Sequence, residues 1–219
     1  MKILVIVTHY DDEVLSCGGF IYQNSKKHKI DIVAITDKYN WSMKFIQVCK
    51  GLRAHKSIPL KIPLWTDKKT KVLNFFTLDT LQKRFLEHNI KFSDYDLILT
   101  HGKDGDIDFH KHHIHTYKLI CDLSDTENLM HFVAFPRKGV KETHQLYKWI
   151  KERNHWYNEI MVGIIPNELL EKSNFIYKLM PDTVKIKQKL FGVYFKGKTN
   201  YVAIDYPVEL FHIEGDIKL

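Results

Sequence analysis

The chain has 219 residues, 44% hydrophobic and 27% charged, which excludes a disordered polymer and suits a single well-covered globular domain. Its formal net charge of +7 rests on scattered lysines such as Lys26-Lys27 and Lys68-Lys69. With no basic helix stripe, that pattern excludes a nucleic-acid module and reads first as a solvated surface, with an anionic small molecule as the partner the charge favours. Three widely spaced cysteines, Cys17, Cys49 and Cys121, form no CxxC pair. They argue against a disulfide framework and for a reducing cytoplasm.

In chain order, residues 2–8 (KILVIVT) form an apolar run that predicts a strand buried on both faces. The run stops before His9, too short for a signal peptide, and no later stretch reaches the length of a membrane span. A helix is expected after Gly18-Gly19, from Phe20 to about His28, then a strand at 30–36. Phe45, Val48, Cys49 and Leu52 predict a helix over 43–56. Residues 60–65 read as a strand that Pro63 confines to a sheet edge. Residues 77–88 form an amphipathic helix with Thr77 as its cap, and 96–100 a strand ending at His101. Gly102 and Gly105 mark a loop, and a helix follows over 112–123. Further on, 131–135, 201–204 and 208–213 read as strands and 183–191 as a helix. This alternation predicts an α/β fold, a Rossmann-like doubly wound, mostly parallel sheet with helices on both faces. One domain over 1–219 is expected, with the core sheet in 1–135 and a less legible part in 136–219.

Ligands of such sheets bind beyond the carboxyl ends of the strands. Two of those ends run into histidine and aspartate: His9…Asp12 after the first strand, and His101…His110-Lys111-His112-His113 after the fourth. Both His9/Asp12 and His110/His113 are three apart, so each pair can converge, and zinc takes imidazole nitrogen and carboxylate oxygen. His112 and His115 compete with His113 as ligand, whereas His101 reads as a strand-end residue. Adjacent carboxylates at Asp11 and Asp12 can divide metal binding from proton transfer.

The segment His9-Tyr10-Asp11-Asp12-Glu13-Val14-Leu15-Ser16-Cys17-Gly18-Gly19 closely resembles the signature HPDDExLxxGG of the LmbE-like/PIG-L sugar N-deacetylases. His110-Lys111-His112-His113 resembles that family's HPDH, in a segment similar to TH…GE.GH..H. The resemblance spans roughly 1–135, with a weaker echo at Lys187…Tyr194. It implies that His9, Asp12 and His113 are zinc ligands, Asp11 the general base and His110 the stabiliser of the oxyanion. The implied reaction is metal-dependent removal of an acetyl group from an N-acetylated amino sugar or its nucleotide-linked conjugate, with Zn2+ as cofactor and Fe2+ as a competitor. A homo-oligomer is compatible with the resemblance.

The chain departs from the family at several points. Tyr10 replaces the usual proline, and His112 the aspartate of HPDH, leaving Asp106 or Asp108 to tune His110. Lys44-Phe45-Ile46-Gln47 stands where an arginine and a glutamate usually contact substrate, and Phe195-Lys196 replaces an SQ pair. Lys44, Asp106 and Arg137 are therefore the candidate substrate contacts, Lys138 joining Arg137 as a partner for an anion. Cys17 reads as a small buried thiol, and Gly18-Gly19 as either a phosphate cradle or a packing site. Trp149, Trp156 and Tyr157 read as core before they read as a sugar-stacking wall. Two other readings stay open: a metal amidase for a non-sugar amide, and a catalytically silent sugar-binding protein.

Overall fold

The computed structural model describes residues 1–37, 40–63, 75–103, 105, 110–124, 128–133, 175–195 and 208–214. Among these residues, seven strands form one sheet: β1 (Lys2–Val7), β2 (Lys29–Thr36), β3 (Lys56–Ile62), β4 (Leu97–His101), β5 (Leu129–Val133), β6 (Phe175–Lys178) and β7 (Val208–Ile213). Their order is β3-β2-β1-β4-β5-β7-β6. The first five pair in parallel, while β7 runs antiparallel to both β5 and β6. The expected doubly wound α/β fold is present. The chain leaves β1 towards β2 on one side and returns as β4 on the other, so the switch point opens between the carboxyl ends of β1 and β4.

Alternation along the strands builds two cores. Ile3, Val5 and Val7 pack with Val14 and Phe20 of α1 (Asp12–Asn24), Phe45 and Val48 of α2 (Ser42–Gly51) and Phe191 of α5 (Pro181–Tyr194). Leu4 and Ile6 face the other way, onto Leu81 and Phe85 of α3 (Leu78–Glu87) and Ile120 of α4 (Lys111–Leu123). Every one of these side chains is nearly or fully buried. Burying such a side chain is worth roughly 1.5–3 kcal/mol, so β1 is held from both sides. No helix among the described residues is long and apolar enough to cross a membrane.

Several boundaries differ from the sequence reading. The third strand covers 56–62 and sits at the sheet edge with Pro59 inside it, Pro63 lying just beyond. The helix expected over 43–56 ends at Gly51, and Arg53 takes a left-handed φ of 62°. The strand expected at 201–204 and the aromatics Trp149, Trp156 and Tyr157 lie outside the described residues.

The largest difference is in α1, which begins at Asp12 rather than after the glycines. It breaks at Cys17 (φ −147°, ψ 16°) and restarts, so Gly19 and Phe20 present amides like those of a fresh helix N-terminus. Glu209 of β7 meets them: its Oε1 accepts from the Gly19 N–H at 2.8 Å and its Oε2 from the Phe20 N–H at 2.7 Å. Lys187 of α5 donates to the same carboxylate at 2.7 Å, and both charged side chains are 1% exposed. A buried carboxylate capping a helix start next to a paired ammonium satisfies every charge it brings inside. Gly19 also packs too closely for a side chain, since a Cβ there would stand 2.3 Å from Leu179. Gly19 thus serves both packing and the Glu209 cap.

Candidate metal centre

Thr8, the residue after β1, is pinned on three sides. Its carbonyl accepts from Thr36 N–H (2.9 Å) and Oγ1 (2.7 Å), and its hydroxyl meets that of Thr116 on α4 at 2.6 Å. Its N–H donates to His101 Nε2 at 3.0 Å. The first motif and α4 are therefore fixed to the same end of the sheet, at the β1/β4 opening.

There, three ligand-type atoms from residues a hundred positions apart close a small triangle. His9 Nδ1 lies 3.3 Å from Asp12 Oδ2, His113 Nε2 lies 3.1 Å from Asp12 Oδ2, and the two imidazole nitrogens are 3.1 Å apart. Ligands at 2.0–2.2 Å in a tetrahedral zinc site stand about 3.3 Å from one another. The tautomers can be followed as well. His113 Nδ1 faces the Gly105 carbonyl at 3.0 Å and donates to it, which turns the Nε2 lone pair towards Asp12 and His9. Gly105 has a φ of 72°, and a Cβ there would lie 2.7 Å from the His110 carbonyl oxygen, so only glycine can set that carbonyl. A divalent cation fits this donor set: two nitrogens and a carboxylate oxygen aimed at one point, with a backbone acceptor orienting the second histidine.

Asp12 is buried, which alone would raise its pKa, but the surrounding imidazoles of His113, His101 and His9 outweigh burial and hold it well below the usual carboxylate range. His101 stacks on His113, ring centroids 3.8 Å apart, and burial next to that neighbour pushes its pKa down to about 3. It accepts from Thr8 and stays neutral. His101 belongs to this centre and is more than the strand-end residue its position in the sequence advertises: its nitrogen groups with Asp12 and His113 within 4.8 Å.

His110 is the N-cap of α4; its ring stacks on His113 (4.3 Å, 17°) and meets the edge of His9 (5.0 Å). His9, His110 and His113 likewise present nitrogens within 4.8 Å of one another. His112 Nδ1 lies 3.2 Å from His9 Nε2, so it joins the cluster on the outer side of His9, and Phe75 packs against its ring. His115 points elsewhere and meets the Phe76 carbonyl at 2.6 Å.

Asp11 is half-buried and takes φ 117°, ψ −27°, a conformation that costs a non-glycine residue roughly 1–3 kcal/mol. Its N–H donates to Glu13 Oε2 at 3.0 Å. Glu13 is fully buried, and burial pushes its carboxyl up to about 7 against the opposing pull of the Tyr194 hydroxyl and the Asp11 amide. Tyr10, in the proline position, is a core residue: it is 4% exposed and stacks on Phe45 with centroids 5.1 Å apart.

Lys44 sits over the Trp41 ring at 4.4 Å and donates to the Tyr194 carbonyl at 3.3 Å, so its ammonium is engaged by the protein's own helix end. Asp106, Asp108, Arg137 and Lys138 lie outside the described residues.

No protein-family model matches the chain, and no curated protein matches it by sequence. Solved structures do. A conserved protein from Thermus thermophilus superposes with a TM-score of 0.56 at 14% identity, covering 99% of this chain and 96% of that one. The N,N'-diacetylchitobiose deacetylase from Pyrococcus horikoshii gives 0.53 at 13% identity, covering 94% of this chain and 71% of that one. The zinc-inhibited form of teicoplanin deacetylase Orf2 gives 0.53 at 11% identity, over 89% of this chain and 84% of that one. The chain has the fold of these deacetylases. At such identities the likeness speaks for the scaffold, and the chemistry has to be argued from the side chains.

Proposed function

We propose that this protein is a metal-dependent N-deacetylase of the LmbE-like/PIG-L type, acting on an N-acetylated amino sugar or an anionic conjugate of one. The observation that carries the reading is the triangle of His9 Nδ1, Asp12 Oδ2 and His113 Nε2, with the His113 tautomer set by the Gly105 carbonyl. Zn2+ suits this donor set, and Fe2+ would compete for it. The fold shared with deacetylases of chitobiose and teicoplanin supports the reaction class, and the +7 charge supports a nucleotide-linked or otherwise acidic sugar. Contacts of α5 and β7 with the N-terminal motif support reading 1–219 as a single domain.

A divalent ion held by His9, Asp12 and His113 would acidify water and polarise the amide carbonyl. Asp11, beside these ligands in sequence but on the strained turn, takes the proton from the attacking water. His110 donates a hydrogen bond to the oxygen on which negative charge develops. Asp11 then returns the proton to the leaving nitrogen, releasing acetate and the free amine. His112 replaces a carboxylate next to His110 and adds a second nitrogen donor on the His9 side.

The test is metal analysis together with acetate release from a panel of N-acetylated sugars and nucleotide sugars, with and without chelator. One divalent ion per chain and chelator-sensitive release of acetate are expected. A chain that holds the metal yet releases acetate from no sugar would overturn the sugar deacetylase reading and favour a metal amidase for another amide.

A further inference from the structure

A proton-transferring carboxylate must be held against its own backbone preference if it sits at φ 117°, and the residues that do so lie far apart in the chain. Glu13 spends one carboxylate oxygen on each of two tasks. Its Oε2 accepts from the Asp11 N–H at 3.0 Å, and its Oε1 accepts from the Tyr194 hydroxyl at 2.6 Å, at the end of α5. Glu13 is 0% and Tyr194 3% exposed. Tyr194 is itself fixed: its ring stacks on Trp41 with centroids 5.6 Å apart, and its carbonyl accepts from Lys44. Neither Glu13 nor Tyr194 belongs to the His9, Asp12 and His113 triangle, and neither has a part in the chemistry described above.

We propose that Glu13 and Tyr194 are a positioning pair that fixes the Asp11 turn, so that the C-terminal helix sets the aim of the proton-transferring carboxylate. The inference rests on the reading of Asp11 as the general base. Tyr194→Phe removes one hydroxyl and leaves the ring packed on Trp41. Without that bond the Glu13 carboxylate has one partner fewer and the Asp11 turn relaxes. Misplacing a catalytic group by about 1 Å costs up to about a hundredfold, so the expected loss in kcat is roughly ten- to hundredfold. KM and metal stoichiometry stay unchanged, because the ligand triangle is not touched. Glu13→Gln keeps the shape and an acceptor for the Asp11 amide, and should lose less than Glu13→Ala.

The experiment measures kcat, KM and bound metal for Tyr194→Phe and Glu13→Gln, alone and with Asp11→Asn, and follows the Asp11 backbone amide by NMR. The positioning role requires a fall in kcat for Tyr194→Phe that disappears in the Asp11→Asn background, together with a shifted Asp11 amide resonance. An equal fall in both backgrounds, an unchanged kcat or an unmoved Asp11 amide overturns it. Full turnover by Asp11→Asn would instead overturn the base assignment, an outcome distinct from the others. Where no sugar is turned over, the Asp11 amide still decides whether the pair holds the turn.

Discussion

Two buried aspartates at opposite ends of the same sheet show what distinguishes a site from a structural polar cluster. Asp31, in β2, is fully buried and has one partner for each oxygen: His55 Nδ1 at 2.7 Å on Oδ1 and the Tyr95 hydroxyl at 2.9 Å on Oδ2. Asp12 is buried almost as deeply, yet its Oδ2 alone is faced by the His9 amide at 2.9 Å and by imidazole nitrogens of His113, His9 and His101 at 3.1, 3.3 and 3.5 Å. The first arrangement is complete in itself. In the second, more nitrogens face one oxygen than it can accept from, at 3.1–3.5 Å, and His113 and His101 already have other hydrogen-bond partners. Surplus nitrogens converging on one point are what a cation arranges around itself.

That contrast can be broken by experiment. The largest effect is expected for His113→Ala, which removes one side of the triangle: bound metal falls below half an equivalent by elemental analysis, and chelator-sensitive activity is lost. Metal retained at one equivalent would move the third ligand to His112 or His101. Next comes Gly105→Ala, which touches no ligand but forces the carbonyl that orients His113 out of place. Loss of such an outer partner typically weakens metal binding about 10–100-fold, read by competition with a chromophoric chelator. An unchanged affinity would mean that His113 is held by its packing alone. Asp31→Asn sharpens the comparison from the other side: it should cost about 1–3 kcal/mol in urea unfolding and leave metal content untouched. Metal loss in that variant would erase the distinction between the two ends.

The smallest effect concerns His131, whose Nδ1 lies 3.1 Å from the His101 carbonyl oxygen and whose Nε2 lies 2.9 Å from Glu214 Oε1. Burial lowers its pKa despite the opposing pull of Glu214. The unfolded chain, with a histidine pKa of about 6.5, therefore binds the extra proton first. The stability tied to His131 is complete above that value and is lost as the pH falls from it through the lower folded pKa. In chelator, His131→Gln should lose less stability than the parent chain between about pH 7.5 and 5.

The fold is legible in the sequence because β1, β2 and β4 are apolar runs whose character survives any packing detail. His9, Asp11 and Asp12 stand out as candidates because they follow a strand in a dense, recognisable motif, and the structure brings His9 and Asp12 within 3.3 Å of each other. The start of α1 is not legible, since Gly18-Gly19 looks like a loop until Glu209, 190 residues on from Gly19, is seen to cap the restarted helix. Long-range partners of that kind have no periodicity to read. His101 was hidden for a similar reason: a histidine at a strand end acquires meaning only when another element stacks on it. Lys44 had the right charge for an anion, but its packing on Trp41 and its bond to the Tyr194 carbonyl come from contacts that no local pattern predicts.

The break in α1 also sets a schedule for the newborn chain. Gly19 and Phe20 leave the ribosome long before Glu209, and at about 5–20 residues per second the 190-residue interval lasts about 10–40 s. Through that time the motif that follows β1 is fully written but lacks the carboxylate that lets its helix restart. The restart of α1 is thus finished by a residue made 190 positions later, and a growing chain cannot cap it before β7 is in place.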